Sequence, residues 1–344
     1  MNRVEEVAIV GGGPSGAYCA FQLAKEGMHP VIFDHSHPRE KPCGGGISPP
    51  VIEKFPFVER FRQSGFTFGD FRVISCIDTQ VRTKGLENGF SISRLVFDQG
   101  ILDLAIESGA RLIKEKVTEV QTQSNLWIVK TEKSVHSTRV LVGADGVNSL
   151  VRRQTVGSIS KENLALTYGY FANQLSKYDA TIKFLAEIPG YIWVFPGKTY
   201  SNIGIGSELR NGNMLKGLLD TFVRLNYPAT KILSSYSAML PSASSPEFFK
   251  LPCASDSWIL IGDAAGHVDP ISGGGILYAL WGAQLAAQAI SRNDPKSFDT
   301  SWRKEFGQIL EERCRNKDAF YDPLRSTASI LFGLARASYF WPTA

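Results

Sequence analysis

The chain has 344 residues, 43% of them hydrophobic and 20% charged, with a formal net charge of +4. That balance suits a soluble globular protein of two domains or one large one. No basic run of the kind a phosphate backbone needs is present, which argues against nucleic acid as a partner; the slight positive charge is compatible with an anionic lipid surface.

Five cysteines (Cys19, Cys43, Cys76, Cys253 and Cys314) lie far apart, and none forms a C-x-x-C pair. This usage fits a reducing cytosol and argues against a disulfide framework or a zinc site, so no metal is expected. "MNRVEE" offers no cleavable apolar segment, and no uninterrupted apolar run nears the ~20 residues that span a bilayer. The expected location is the cytoplasm, at most in peripheral contact with a membrane.

Along the chain, "VEEVAIVGGGPSGAYCAFQLAKEGMHPVIFDHS" predicts strand, glycine turn, helix and strand, a βαβ unit of about 30 residues. Gly11, Gly13 and Gly16 form G-x-G-x-x-G, with Pro14 and Ser15 inside the turn. Gly11 permits the tight bend, Gly13 admits a pyrophosphate against the backbone, and Gly16 lets helix and strand close together. The helix N-terminus then offers unpaired N–H groups to phosphate. Asp34 ends the second strand, where its carboxylate can accept both hydroxyls of an adenosine ribose and repels a 2′-phosphate. Up to this point NAD and FAD are both open.

The stretch "KPCGGGISPP" (residues 41–50) sets Cys43 against three glycines and closes on two prolines. Alternating apolar residues over 66–93 predict antiparallel strands. A helix is expected at about 95–108, followed by the strands of "ARLIKEKVTEVQTQ", "LWIVKT" and "RVLVGADG". Residues 164–207 read as strand-rich and aromatic, and 211–225 as helix. "SWILIGDAAG" restores a buried strand, a long helix begins near Gly275, and the last ~45 residues read as mainly helical.

"LVGADGVNSLVR" and "WILIGDAAGHVDPISGGGILYAL" select FAD. In the second, a buried strand delivers Asp263 to a glycine-bounded end suited to a polyol hydroxyl; a plain turn or capping aspartate is the alternative. The run 273–275 precedes an Ala- and Leu-rich helix, whose N-terminal dipole can stabilise negative charge on a reduced flavin's N1–C2=O edge. His267 reads as a solvent-side loop histidine without a role.

In this order the three motifs resemble the FAD-dependent oxidoreductases of the aromatic hydroxylase type. "SRLVFDQGIL" fits as well, through Arg94 and Asp98 at a helix start. The resemblance implies that Arg94 reaches the flavin side, where the residues alone would allow a surface arginine. It implies that Asp145 fixes the neighbouring strand and helix beside FAD, and that Val117, Gly274, Gly275 and Ile276 also border the cofactor. Within that group "KPCGGGIS" resembles the geranylgeranyl reductase signature, so Cys43, Gly44 and Gly46 are implied to line the flavin. "YIWVFPGKTYSNIGIG" resembles that family's Y-x-W-x-F-P element followed by an N-x-G-x-G strand. Tyr191, Trp193 and Phe195 alternate, so their rings share one face. With Gly206 they form either an aromatic core ladder or the wall of an apolar tunnel for substrate. Gly45 departs from the acidic residue of many relatives, Asp34 from the commoner Glu, and the chain beyond the long helix is short for the family.

The implied fold is α/β (α+β). A Rossmann-like FAD-binding domain is built from residues 1–65, 94–160 and 254–295, and an inserted antiparallel-sheet substrate domain from 66–93 and 161–253. Residues 296–344 form a helical C-terminal segment. The implied activity is reduction of C=C bonds in a geranylgeranyl or polyprenyl lipid, by hydride from flavin N5 plus a proton. The three glycines after Cys43 are expected to leave space for the chain over the flavin. Cys43 is the proton donor, a flavin-tuning group or a small apolar filler. No second G-x-G-x-x-G follows a strand, so reduced ferredoxin or NAD(P)H is the expected electron donor. A flavin monooxygenase or halogenase on the same fold is one alternative, because "YIWVFP" is close to a halogenase element. A non-catalytic flavin-binding lipid carrier is the other. The C-terminal "STASILFGLARASYFWPTA" either docks on its own domain or rests on a membrane surface through Tyr339 and Trp341.

Overall fold

Val7, Ala8 and Ile9 are fully buried, as a continuous apolar run between two parallel neighbours must be. They belong to strand Val4–Val10, which pairs in parallel with Val31–Phe33 on one side and Val135–Gly143 on the other. The computed structural model describes residues 4–69, 71–83, 88–175 and 180–322, which form two units. The C-terminal segment read from the sequence as a dock or a membrane contact, residues 326–344, lies outside the described residues.

The first unit comprises Met1–Arg39, Leu95–Ser160 and Ala243–Cys314. Among the described residues it holds a seven-stranded sheet, ordered Arg111–Ile113, Val31–Phe33, Val4–Val10, Val135–Gly143, Leu126–Thr131 and Val117–Gln123, with Trp258–Leu260 off that path. Strand Val135–Gly143 splits its outer edge. Its first half pairs antiparallel with Leu126–Thr131, and its second half pairs in parallel with Trp258–Leu260. Helix Pro14–Lys25 packs on helix Ile276–Ser291. Gly27 closes the first helix at φ +81°, the left-handed C′ position that favours glycine.

The second unit comprises Glu40–Arg94, Lys161–Ser242 and Arg315–Ala344. Its main sheet, again seven-stranded among the described residues, runs Ile232–Pro241, Leu164–Ala172, Ser201–Glu208, Gly190–Phe195, Ala180–Phe184, Phe71–Ile74 and Gln80–Thr83. Pairing is antiparallel except between Ala180–Phe184 and Phe71–Ile74. Period-two alternation sends Ile192, Val194, Ile203 and Ile205 to one face, where Leu215, Leu219 and Phe222 of helix Gly212–Asn226 cover them. Trp193 and Phe195 take the opposite face with Phe68, Phe71, Phe184 and Tyr236.

These units differ from the expected domains at three places. Residues 40–65 belong to the second unit, because strand Gly46–Ile47 pairs with Phe90–Ser91 and Gly44 packs on Phe195. Residues 243–253 and 296–314 join the first unit, held partly by Asp299, which accepts the Cys253 N–H at 2.8 Å. Strand Ile232–Pro241 has no counterpart in the sequence reading. It lies at a sheet edge with half of its residues exposed, and its serine-rich half lacks the apolar alternation that marks a half-buried strand.

Candidate functional site

In the first unit the glycine turn is built by close backbone approach. A Cβ on Gly16 would lie 1.9 Å from the Gly11 carbonyl oxygen, and one on Gly11, at φ +102°, would lie 2.3 Å from that of Ala144. Gly13 differs, because a Cβ there would meet no atom within 4 Å. The space in front of Gly13 is therefore open, at the N-cap of helix Pro14–Lys25. That helix has no side-chain cap and no acidic residue in its first turn, while Pro14 and Ser15 are buried. A dinucleotide pyrophosphate fits this uncapped turn by shape and charge.

Asp34 is more heavily engaged than a ribose ligand alone needs to be. Its Oδ2 accepts from Gly12 N at 2.7 Å; its Oδ1 accepts from Ser36 N, Ser36 Oγ and His37 N. Burial pushes the carboxyl up, but His37 and these N–H groups outweigh burial and hold it well below the usual carboxylate range. Asp34 thus ties the second strand to the glycine turn, leaving one oxygen with spare accepting capacity.

Asp145 accepts from Ser149 Oγ, from Leu150 N at 2.6 Å and from Val151 N at 3.3 Å. Ser149 Oγ in turn caps helix Leu150–Thr155 by accepting from Arg152 N. Asp145 therefore joins the end of a central strand to the next helix, with burial pushing its pKa up. Val117 opens strand Val117–Gln123 opposite Thr131 and is half-buried.

Asp263 sits in the short turn Gly262–Ala264 that follows strand Trp258–Leu260, half-buried, its backbone carbonyl accepting from Gly266 N. Its Oδ1 lies 3.4 Å from where a Cβ on Gly275 would be, so turn and glycine run meet. Gly274 O accepts from Asp269 N, and Asp269 Oδ1 accepts from Ile271 N and Ser272 N. Arg313 pairs with Asp269 Oδ2 at 2.6 Å. Asp269, unassigned from the sequence, is thus the residue that shapes the glycine run. Gly275 caps Ile276 and the helix behind it with no side-chain bond and no acid in the first turn.

His267 is not a solvent-side residue. It is fully buried, with its ring centroid 4.4 Å from that of Trp302 and 5.1 Å from that of Phe306. Burial pushes its pKa down to about 3, aided by Arg152 and Arg303, so the ring is neutral.

In the second unit Cys43 is half-buried, and its Sγ accepts from Gly45 N at 3.4 Å. The expectation that the following glycines clear open space is corrected for this unit. Gly44 lies under the rings of Phe195 and Trp193, where a Cβ would sit 2.9 and 3.0 Å from their atoms. A Cβ on Gly46 would meet Phe195 at 3.1 Å, and Gly45, at φ +71°, abuts Ile92 O. The absent side chains make room for aromatic rings.

Across the sheet, Tyr236, Gly169, Gly204 and Trp193 stand opposite one another on four adjacent strands. Each outer ring lies over the glycine beside it: a Cβ on Gly169 would strike Tyr236 at 2.3 Å, and one on Gly204 would strike Trp193 at 2.1 Å. Gly206 lies one row further along, opposite Thr167 and Tyr191, where a Cβ would come within 3.6 Å of the Trp193 ring. The polar tips of both rings converge on Asn202, whose Oδ1 accepts from Trp193 Nε1 at 2.7 Å and Tyr236 Oη at 2.8 Å. Asn202 Nδ2 donates to Cys43 O at 3.0 Å. Tyr191 extends the aromatic face, 6.0 Å from Trp193, toward Phe184, Phe320 and Tyr321.

Glu40 anchors the other end of the Cys43 loop. It accepts from Arg94 N at 2.8 Å, from Tyr200 Oη at 2.6 Å and from Ser93 Oγ. Burial and the Glu40 carboxylate push the Tyr200 hydroxyl up. Arg94 is buried, not a surface arginine. Glu40 and Asn202 were not assigned from the sequence. Asn202 stood in view as the first letter of N-x-G-x-G, while Glu40 lies in a loop with no pattern.

A family model described as an NAD(P)-binding Rossmann-like domain matches residues 9–48. The chain is 30% identical over 310 residues to an uncharacterized protein of Methanosarcina barkeri, a match covering 83% of this chain and 74% of that one. It is 27% identical over 355 residues to digeranylgeranylglycerophospholipid reductase 1 of Methanococcoides burtonii, covering 93% and 85%. A solved structure of a geranylgeranyl bacteriochlorophyll reductase-like protein from Thermoplasma acidophilum shares the fold. Its TM-score is 0.83 at 20% identity, over 98% of this chain and 94% of that one.

Proposed function

Because the chain belongs to the geranylgeranyl reductase family, we propose that it is an FAD-dependent oxidoreductase that saturates C=C bonds in the geranylgeranyl or polyprenyl chain of a lipid. The observation that carries this reading is the aromatic sheet face joined through Asn202 to the Cys43 loop. Rings packed over glycines build an apolar face whose polar atoms are already satisfied. Such a surface binds a hydrocarbon by dispersion and burial and offers water no partner.

FAD, when bound, supplies the hydride that one alkene carbon takes; the other carbon takes a proton. The first unit holds the cofactor through the open turn at Gly13, through Asp34 and through the uncapped helix that begins at Ile276. An isolated alkene has no carbonyl to polarise, so protonation develops positive charge on carbon. Aromatic faces such as those of Trp193 and Phe195 stabilise that charge. We assign the proton to Cys43 Sγ, where the Gly45 N–H fixes the sulfur and stabilises it once the proton has left. Single-turnover reoxidation of the reduced flavoprotein by a prenyl lipid tests this in Cys43→Ala and Cys43→Ser. Loss in both with partial rescue at higher proton activity supports the assignment; unchanged rates in both remove Cys43 from the chemistry.

Electrons reach the cofactor from reduced ferredoxin or from NAD(P)H bound transiently, since the sequence holds a single dinucleotide turn. Among the described residues no helix is long and apolar enough to cross a membrane. Oxygen consumption coupled to substrate turnover would instead favour a monooxygenase or halogenase.

A further inference from the structure

His37 is buried in the first unit between two carboxylates. Its Nδ1 lies 3.0 Å from Asp34 Oδ1 and its Nε2 3.9 Å from Asp98 Oδ2; the three side chains are 1%, 8% and 0% exposed. Nδ1 is off the line of a directed hydrogen bond and Nε2 lies beyond hydrogen-bond reach of Asp98, so the contacts are chiefly electrostatic. Asp34 follows strand Val31–Phe33 and Asp98 belongs to helix Arg94–Glu107. On the ring's own loop, Arg39 Nε donates to Ser36 Oγ, which donates to Asp34 Oδ1. Burial pulls the imidazole pKa down, but the two carboxylates outweigh burial and carry it above the ordinary range.

We propose that His37, as an imidazolium, is a positioning residue for FAD binding. It engages Asp34 Oδ1 and so keeps Oδ2 turned to Gly12 and to the adenosine side of the cofactor. The assignment rests on reading the glycine turn as the FAD site. The two oxygens of Asp34 are used unequally: Oδ1 takes Ser36 N, Ser36 Oγ, His37 N and the ring, while Oδ2 takes Gly12 N. Without the shared cation two buried carboxylates repel each other, and the loop donors alone hold Asp34, less firmly, against that repulsion. A pyrophosphate on the same turn adds negative charge nearby and further favours the protonated ring. FAD binding therefore takes up a proton, and affinity falls as pH rises through the raised pKa of His37.

The test is FAD titration of the full-length apo-protein between pH 6 and pH 9 by flavin fluorescence. Calorimetry in buffers of different ionisation enthalpy then counts protons. The wild type is expected to show Kd rising by up to about tenfold per pH unit above the His37 pKa, with net proton uptake. His37→Asn is expected to bind more weakly at pH 6 and to lose both the slope and the uptake. The imidazole is also titrated by NMR without FAD. There Asp98→Asn is expected to lower its pKa, a readout that serves even if His37→Asn fails to fold. A wild type that binds FAD with no pH slope, or an imidazole unmoved by Asp98→Asn, overturns the inference alone. A wild type that binds no FAD at any pH overturns the cofactor reading with it.

Discussion

The side-chain amide of Asn202 donates to the backbone carbonyl of Cys43 at 3.0 Å, while its oxygen accepts from both Trp193 and Tyr236. One residue thus fixes the Cys43 loop to two rings set on different strands. Asn202→Ala leaves two buried donors without their acceptor, each worth about 1–3 kcal/mol, so a loss on the order of 2–6 kcal/mol is predicted in urea unfolding. Asn202→Asp keeps the acceptor and recovers part of that loss, but it cannot donate to Cys43. Alkylation of Cys43, followed by peptide mass spectrometry, is predicted to speed up in both variants.

Gly13 and Gly16 separate binding from folding. A Cβ on Gly13 meets nothing within 4 Å, whereas one on Gly16 falls 1.9 Å from Gly11 O. Gly13→Ala is predicted to leave the apo-protein's Tm unchanged while weakening FAD affinity at least about tenfold, since the methyl occupies the pyrophosphate's approach. Gly16→Ala is predicted to lower the Tm itself. Thermal melts with and without FAD distinguish the two.

Gly27 and Gly45 both have left-handed backbones, at φ +81° and +71°, but only Gly45 is crowded, with a Cβ position 2.4 Å from Ile92 O. Gly27→Ala is predicted to cost the conformational penalty alone, about 1–2 kcal/mol. Gly45→Ala must also displace the backbone at Ile92, which donates to Gly45 O at 2.9 Å. A larger loss in denaturant unfolding is expected for Gly45→Ala.

His267 gives stability a defined pH window. Its folded pKa is depressed to about 3 by burial, then by Arg152 and Arg303. An unfolded imidazole takes up a proton near pH 6.5, so between about pH 6.5 and 3 the unfolded chain binds more protons. The contribution is full above pH 6.5 and falls with pH, by at most about 1.4 kcal/mol per unit. From pH 7 to pH 5 the wild type is predicted to lose about 1–2 kcal/mol more than His267→Phe, whose ring suits the Trp302 and Phe306 cluster. Urea unfolding at both values checks this.

Features closed within a few residues were legible in the sequence. The turn from Gly11 to Gly16, the helix end at Gly27 and the alternation of Tyr191, Trp193 and Phe195 all follow from local backbone demands. Partnerships across the chain were not. His267 stands in a glycine-rich turn that reads as solvent-facing, and nothing local announces that Trp302 and Phe306 cover it. The glycines after Cys43 read as open space because their fillers, Trp193 and Phe195, come from a distant strand. Asn202 was visible as a letter of a motif. Its role needed the register that sets Tyr236, Gly169, Gly204 and Trp193 in one row.

The most direct measurement is the mass of a geranylgeranyl lipid after anaerobic single turnover with the chemically reduced flavoprotein. A gain of two hydrogens for each saturated bond, with matching flavin reoxidation and no oxygen or halogen in the product, is predicted. A lipid of unchanged mass beside a flavin that stays reduced, or turnover that requires oxygen, would contradict it.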